Sequence, residues 1–199
     1  MKKTLSRLVL GVAAGSALSG QVLAADEPID VYATFRAGIA LNQTAEMDFT
    51  PGSTFVDYLG GAVSGTDFAR LATNGTVDYV GTQLLGNTSG QAGLVAISGD
   101  GASTVNISCS PNAVISDGTR LIEISQMQIS TDTGKAWAAP DDTCAGLGTS
   151  PLAYTLVGTA SDRVRIGGRL TGSAADFRND DFDSTQASGV PAQLRVVYQ

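Results

Sequence analysis

Residues 29 to 41 alternate apolar and polar positions almost without a break. Ile29, Val31, Ala33, Phe35, Ala37, Ile39 and Leu41 hold the odd positions, while Asp30, Thr34, Arg36 and Asn42 mark the mostly polar or small even ones. A period of two sends every second side chain to the same face, the pattern of a strand with one side buried. The run is roughly twice the five or six residues of an ordinary strand. It is either the first strand of a sandwich or a segment that pairs with another molecule.

Beyond it, helical periodicity is nearly absent, and short β-type runs are punctuated by Gly, Asn, Asp and Ser. Asn74-Gly75 lies between 68–73 and 76–80, a strong two-residue hairpin signal. Asp100-Gly101 separates 94–98 from 104–109, and Asp117-Gly118 separates 113–116 from 120–124. Each turn is expected to place a positive φ on its glycine. The run from Leu121 to Ile129 changes phase, with Ile122 and Ile124 on one parity and Met127 and Ile129 on the other. A bulge near Ser125-Gln126 is predicted to bring all four to the core. Leu152, Tyr154 and Leu156 alternate, as do Val164, Ile166 and Leu170, and Leu194, Val196 and Tyr198 mark a terminal strand. Residues 135–150 and 176–190 read as loops. Many short strands with regular turn signals predict an all-β antiparallel sandwich.

The first 24 residues read as a secretion signal. Lys2, Lys3 and Arg7 precede a short apolar stretch over 8–18, and Val22-Leu23-Ala24 offers a small residue before the cut. No apolar stretch reaches about 18 residues, so membrane insertion is not expected. The expected organisation is a signal peptide over 1–24 and a single domain over 25–199. The product is expected in the periplasm, at the cell surface or outside the cell. Loss of the leader's three basic residues, with no acid against them, takes the net charge from −7 to −10. Such a chain repels nucleic acid. Cys109 and Cys144 are the only cysteines, and in an exported chain an isolated pair reads as a disulfide. With no histidine, two thiolates do not complete a zinc site, and Ser-His-Asp and Cys-His arrangements are excluded. Neither enzymatic activity nor a cofactor is expected.

Three stretches carry a resemblance. Gly90-Gln91-Ala92-Gly93 leading into Leu94-Val95-Ala96-Ile97, then Ile166-Gly167-Gly168-Arg169-Leu170, and Val190-Pro191 with the closing Val196-Val197-Tyr198-Gln199 resemble a family of uncharacterised secreted bacterial domains. The same layout is similar to the subunits of chaperone–usher fimbriae. Those are immunoglobulin-like β-sandwiches with an alternating N-terminal donor segment and, often, a penultimate tyrosine, the position of Tyr198 here. The chain departs from them in its mid-chain cysteine pair and in the continuity of its alternating run. The resemblance implies an immunoglobulin-like antiparallel sandwich and a filament subunit assembled by strand donation. Ile29, Val31, Ala33, Phe35, Ala37 and Ile39 would fill the pockets of a like subunit, with a periplasmic chaperone and an usher as further partners. The alternative is a stand-alone secreted binding or adhesion module of the cell surface.

Two charge clusters stand apart. Asn179, Asp180, Asp181 and Asp183 gather oxygen ligands closely enough for weak calcium binding, or form a solvated loop. Arg163, Arg165 and Arg169 share one parity on a strand whose other parity is apolar. They form either a solubilising outer face or a basic stripe for an acidic patch on a neighbouring subunit. Asn42, Asn74, Asn87 and Asn106 each open an Asn-x-Ser/Thr sequon and read as turn and strand residues.

Overall fold

Two long runs of alternating residues make the two longest strands, and the other strands are arranged around that pair. The computed structural model describes residues 38–52, 56–62, 64–131, 133–158, 162–172, 176–177 and 181–199, all within the compact unit Arg36–Gln199. The expected signal peptide and Ile29, Val31, Ala33, Phe35 and Ala37 lie outside the described residues. In chain order the strands are β1 (Ala40–Ala45), β2 (Val56–Tyr58), β3 (Phe68–Leu71), β4 (Val77–Val80), β5 (Leu84–Gly86), β6 (Gly93–Ser98) and β7 (Thr104–Cys109). There follow β8 (Ala113–Ser116), β9 (Leu121–Thr131), β10 (Asp142–Thr143), β11 (Leu152–Thr155), β12 (Arg163–Thr171) and β13 (Leu194–Tyr198). Among the described residues there is no helix, and every strand pair is antiparallel.

Strands β9 and β12 pair along almost their whole length, from Val164 opposite Thr131 to Thr171 opposite Glu123. The other edge of β12 is shared in tandem: β6 takes residues 163–166 and β3 takes 168–170. β1 continues the sheet beyond β6 and β4 beyond β3, while β8 and β10 share the far edge of β9. The result is an eight-stranded sheet, accompanied by a three-stranded sheet in the order β11-β7-β13 and a β2–β5 ribbon. One core joins the two larger sheets. Leu71, Ile124, Met127, Ile129 and Val164 of the large sheet and Val105 and Ile107 of β7 are all almost completely buried in it. Each such side chain contributes roughly 1.5–3 kcal/mol of hydrophobic stabilisation. The fold is the disulfide-bonded antiparallel sandwich that the strand pattern predicts.

The phase change in β9 is a bulge at the expected place. Gln126 has φ 48°, the register with β12 shifts between Gly167 and Arg169, and Ile122, Ile124, Met127 and Ile129 are all buried. Opposite the bulge sits the Gly167-Gly168 pair. A Cβ on Gly167 would lie 2.2 Å from the Leu71 carbonyl oxygen, and one on Gly168 would lie 2.7 Å from both Ile124 Cγ2 and Met127 Sδ. The two glycines therefore mark the point where β3 takes over from β6 along the edge of β12.

One expectation is corrected, and two others are met in part or in finer detail. Of the predicted strand over 29–41 only residues 38–41 are described; Gly38 and Ile39 precede β1, which takes Ala40 and Leu41 and runs on into Asn42-Gln43-Thr44. It is an edge strand that pairs by its backbone with β6 alone, so alternation is not demanded of its exposed side chains. Asp100-Gly101 connects strands of different sheets, and the positive φ falls on Ala102 (62°) rather than on Gly101. Gly101 instead permits close approach, since a Cβ there would sit 3.2 Å from Val157 O and 3.3 Å from Gly158 Cα. The described part of the loop over 176–190 bridges the free edge of β8, with Asp183 opposite Ser116 and Val190 opposite Val114. The Asn74-Gly75 and Asp117-Gly118 turns do form, with positive φ on Gly75 and Gly118 and with paired strands on either side.

Candidate functional site

The disulfide joins Cys109, the last residue of β7, to Cys144, just past β10. It thus ties the small sheet to the far edge of the large one, and both cysteines are buried. β13 lies against β7, from Leu194 opposite Cys109 to Tyr198 opposite Val105. Leu194, Val196 and Tyr198 are half-buried against the core, and Arg195 and Val197 alternate with them on the exposed face. The Tyr198 hydroxyl accepts the Asp100 N–H (2.8 Å), which secures β13 to the β6–β7 turn. Among the described residues β13 has one sheet neighbour, β7. Ile39, the one described member of the predicted donor set, packs against the core just before β1.

The outer face of the large sheet holds a second feature. Register places Arg169 directly opposite Arg70, and residues 163, 165, 167 and 169 share this face. The Arg169 guanidinium lies 3.6 Å from the Phe68 ring centroid, and the Arg70 guanidinium lies 5.6 Å from both Phe68 and Trp137. The ladder Arg169–Phe68–Arg70–Trp137 is held further by Arg169 Nη2 donating to Gly65 O (2.9 Å) and by Gln128 Nε2 donating to Trp137 O (3.2 Å). Arg70 has Asp78 at 3.9 Å, whereas Arg165 and Arg169 face no carboxylate within ion-pair distance among the described residues. The Nε atoms of Arg70, Arg165 and Arg169 and the Oε1 atom of Gln128 are buried without a hydrogen-bond partner. Of the predicted stripe, Arg165 and Arg169 join this face as its less exposed members, and Arg163 stands at its exposed end. Phe68, Arg70 and Trp137 were not anticipated. An arginine inside an otherwise apolar β3 was the available signal.

The acidic cluster is only partly described. Asn179 and Asp180 lie outside the described residues, Asp181 is exposed, and Asp183 is engaged in its bridge and accepts the Thr185 N–H (2.7 Å). Among the described residues no group of three or more His, Cys, Asp or Glu side chains is arranged to hold a metal ion. Two other aspartates organise loops. Asp67 accepts the N–H groups of Ser64 (2.9 Å), Thr82 (2.7 Å) and Gln83 (3.2 Å). The Ser64 and Thr82 backbone bonds, with the Ser64 hydroxyl, bring its pKa down to about 2. Asp162, fully buried, accepts Gly158 N–H (2.7 Å), Val157 N–H (2.8 Å) and the Tyr154 hydroxyl (3.0 Å). The sequons are structural where their bonds are seen: the Asn74 and Asn87 side chains accept the N–H groups of Thr76 and Ser89.

These elements define a disulfide-bonded antiparallel sandwich with an arginine-rich face on its large sheet. The chain belongs to a family described as a domain of unknown function (DUF4402), whose model matches residues 33–178. The match opens inside the alternating run and closes after β12, before β13. No curated protein and no solved structure matches the chain.

Proposed function

We propose that this chain is a structural subunit of a surface or extracellular filament, exported by a leader over residues 1–24 and assembled by β-strand donation between like subunits. The observation that carries the reading is that, among the described residues, β13 pairs with β7 alone and closes the order β11-β7-β13 of the small sheet. Along that edge Leu194, Val196 and Tyr198 face the core at every second position. An extended segment with apolar residues at the same period can add backbone partners to the ladder of such an edge and side chains to the interior beneath it. Ile29, Val31, Ala33, Phe35 and Ala37 form such a segment in this sequence, whereas Ile39 packs against the core of its own chain. The likeness to chaperone–usher fimbrial subunits supports the same assembly, with a periplasmic chaperone covering the edge until an usher adds the subunit. The role is structural, with no catalysis and no cofactor. A ladder of heat-sensitive oligomers on a denaturing gel, with filaments in electron micrographs of producing cells, is the expected outcome. A strictly monomeric product in both would end the reading. The second reading, a stand-alone adhesion module of the cell surface, is favoured by the arginine–aromatic ladder.

A further inference from the structure

We propose that the outer face of the large sheet binds the carboxylates of an acidic polysaccharide through Arg165, Arg169 and Arg70. The proposal does not rest on strand donation and applies equally to a monomer and to an assembled subunit. First, this arrangement carries an electrostatic cost. Arg70 and Arg169 stand directly opposite each other on β3 and β12, and like charges in that position destabilise a strand pair. Although the chain has 19 acidic residues against 12 basic ones, Arg165 and Arg169 have no carboxylate within ion-pair distance among the described residues. An anion bound at the guanidinium ends relieves that repulsion.

Second, the guanidiniums are already oriented. Stacking on Phe68 and Trp137 holds Arg169 and Arg70 in place, so little further side-chain entropy is lost when a planar carboxylate docks on the forks. Third, the surface favours a polysaccharide over a protein. A protein interface is built around an apolar centre, yet of the exposed large aliphatic side chains described, only Leu121 has the parity of this face. The arginines are also spread along the face: Arg165 and Arg169 are four residues apart on one strand, or about 13 Å at the usual rise. That geometry suits successive carboxylates along a linear chain, whose individually weak contacts add through linkage. Duplex nucleic acid, with one negative charge per about 1.7 Å, is repelled more strongly by the net negative charge of the chain.

The test is binding of the full chain to polygalacturonate, with the fully methyl-esterified polymer as an uncharged control on the same sugar backbone. Binding to the acid form, none to the ester, and loss of binding between about 0.05 M and about 0.5 M salt are expected. Arg165→Gln, which removes a side chain with no hydrogen bond or ion pair among the described residues, should weaken binding about tenfold, and Arg165→Gln/Arg169→Gln further still. Arg195→Gln, on the exposed face of the small sheet, should bind like wild type. Thermal midpoints of all variants check folding, and Arg165→Gln alone decides the matter should the double variant be destabilised. No binding at low salt, equal binding by Arg165→Gln, equal binding of the ester or of single-stranded DNA, or salt-sensitive self-association in place of polysaccharide binding would overturn the proposal.

Discussion

Gly167 has no room for a side chain, because the atom that a Cβ would strike at 2.2 Å is backbone and cannot rotate away. Gly167→Ala should therefore cost about 1–3 kcal/mol, as other overpacked sites do. Gly38→Ala, where a Cβ meets nothing within 4 Å, should be close to neutral. Urea midpoints of the two variants make the comparison, and equal midpoints would refute the close approach of β3 to β12. Asp67 gives a residue-scale prediction in pH. Its folded pKa of about 2 lies below the ordinary 3.8, so its carboxylate favours the folded state fully above pH 4. That contribution is lost as the pH falls from about 4 through about 2. Asp67→Asn should lower the thermal midpoint at neutral pH and flatten its decline over that window, and an unchanged acid profile would remove Asp67 from the account. Neither Asp67 nor Asp162 was legible as an anchor in the sequence. The partners of Asp67 include Thr82 and Gln83, which lie on a different loop, and periodicity carries no information about which loop an isolated carboxylate will meet.

Elements were more legible than residues, and for a definite reason. Period two reports which face of a strand is buried, so the alternations in β9, β11, β12 and β13 could be read directly, and the shift of parity in β9 located its bulge. Period two does not report which strand lies alongside. The Asp100-Gly101 turn looked like its neighbours, yet it carries the chain from one sheet to the other, and the tandem use of the β12 edge by β6 and β3 has no local signature. The β2–β5 ribbon and β10 are too short to show a period at all. At the bulge, Gln126 holds a left-handed φ that a glycine adopts without penalty. Gln126→Gly should therefore be neutral or gain up to about 1 kcal/mol, while the β-branched Gln126→Val should lose stability. The disulfide closes a separation of 35 residues, worth about 3–4 kcal/mol in the chain-entropy model. Replacing both cysteines by serine should lower the urea midpoint accordingly. Titration of the unreduced, denatured wild type should find no free thiol, and two reactive thiols per chain would show the bond absent in the mature protein.

At the scale of the whole molecule the open question is how many chains complete one sandwich. Strand donation and self-completion by the alternating run make opposite forecasts for the same substitutions. If the run serves a neighbouring subunit, Phe35 is the largest of its odd-position side chains, and its burial contributes roughly 2–3 kcal/mol to the joint between subunits. Phe35→Asp would place a charge in the recipient's interior beside Leu194, Val196 and Tyr198, and should abolish assembly while leaving each chain's own sheets folded. Thr34→Asp, on the opposite parity, should assemble nearly as well as wild type. A synthetic peptide of residues 28 to 41 should then bind and stabilise a chain lacking 25–37, because a ligand of the native state raises its midpoint by mass action. If the run instead completes its own domain, wild type stays monomeric at high concentration and Phe35→Asp unfolds it. Light scattering beside thermal melts on wild type and the two variants separates the cases. The outcome expected here is a polydisperse wild type, a folded monomeric Phe35→Asp and an assembling Thr34→Asp; a monomeric wild type whose Phe35→Asp variant is unfolded would transfer the alternating run to its own sandwich.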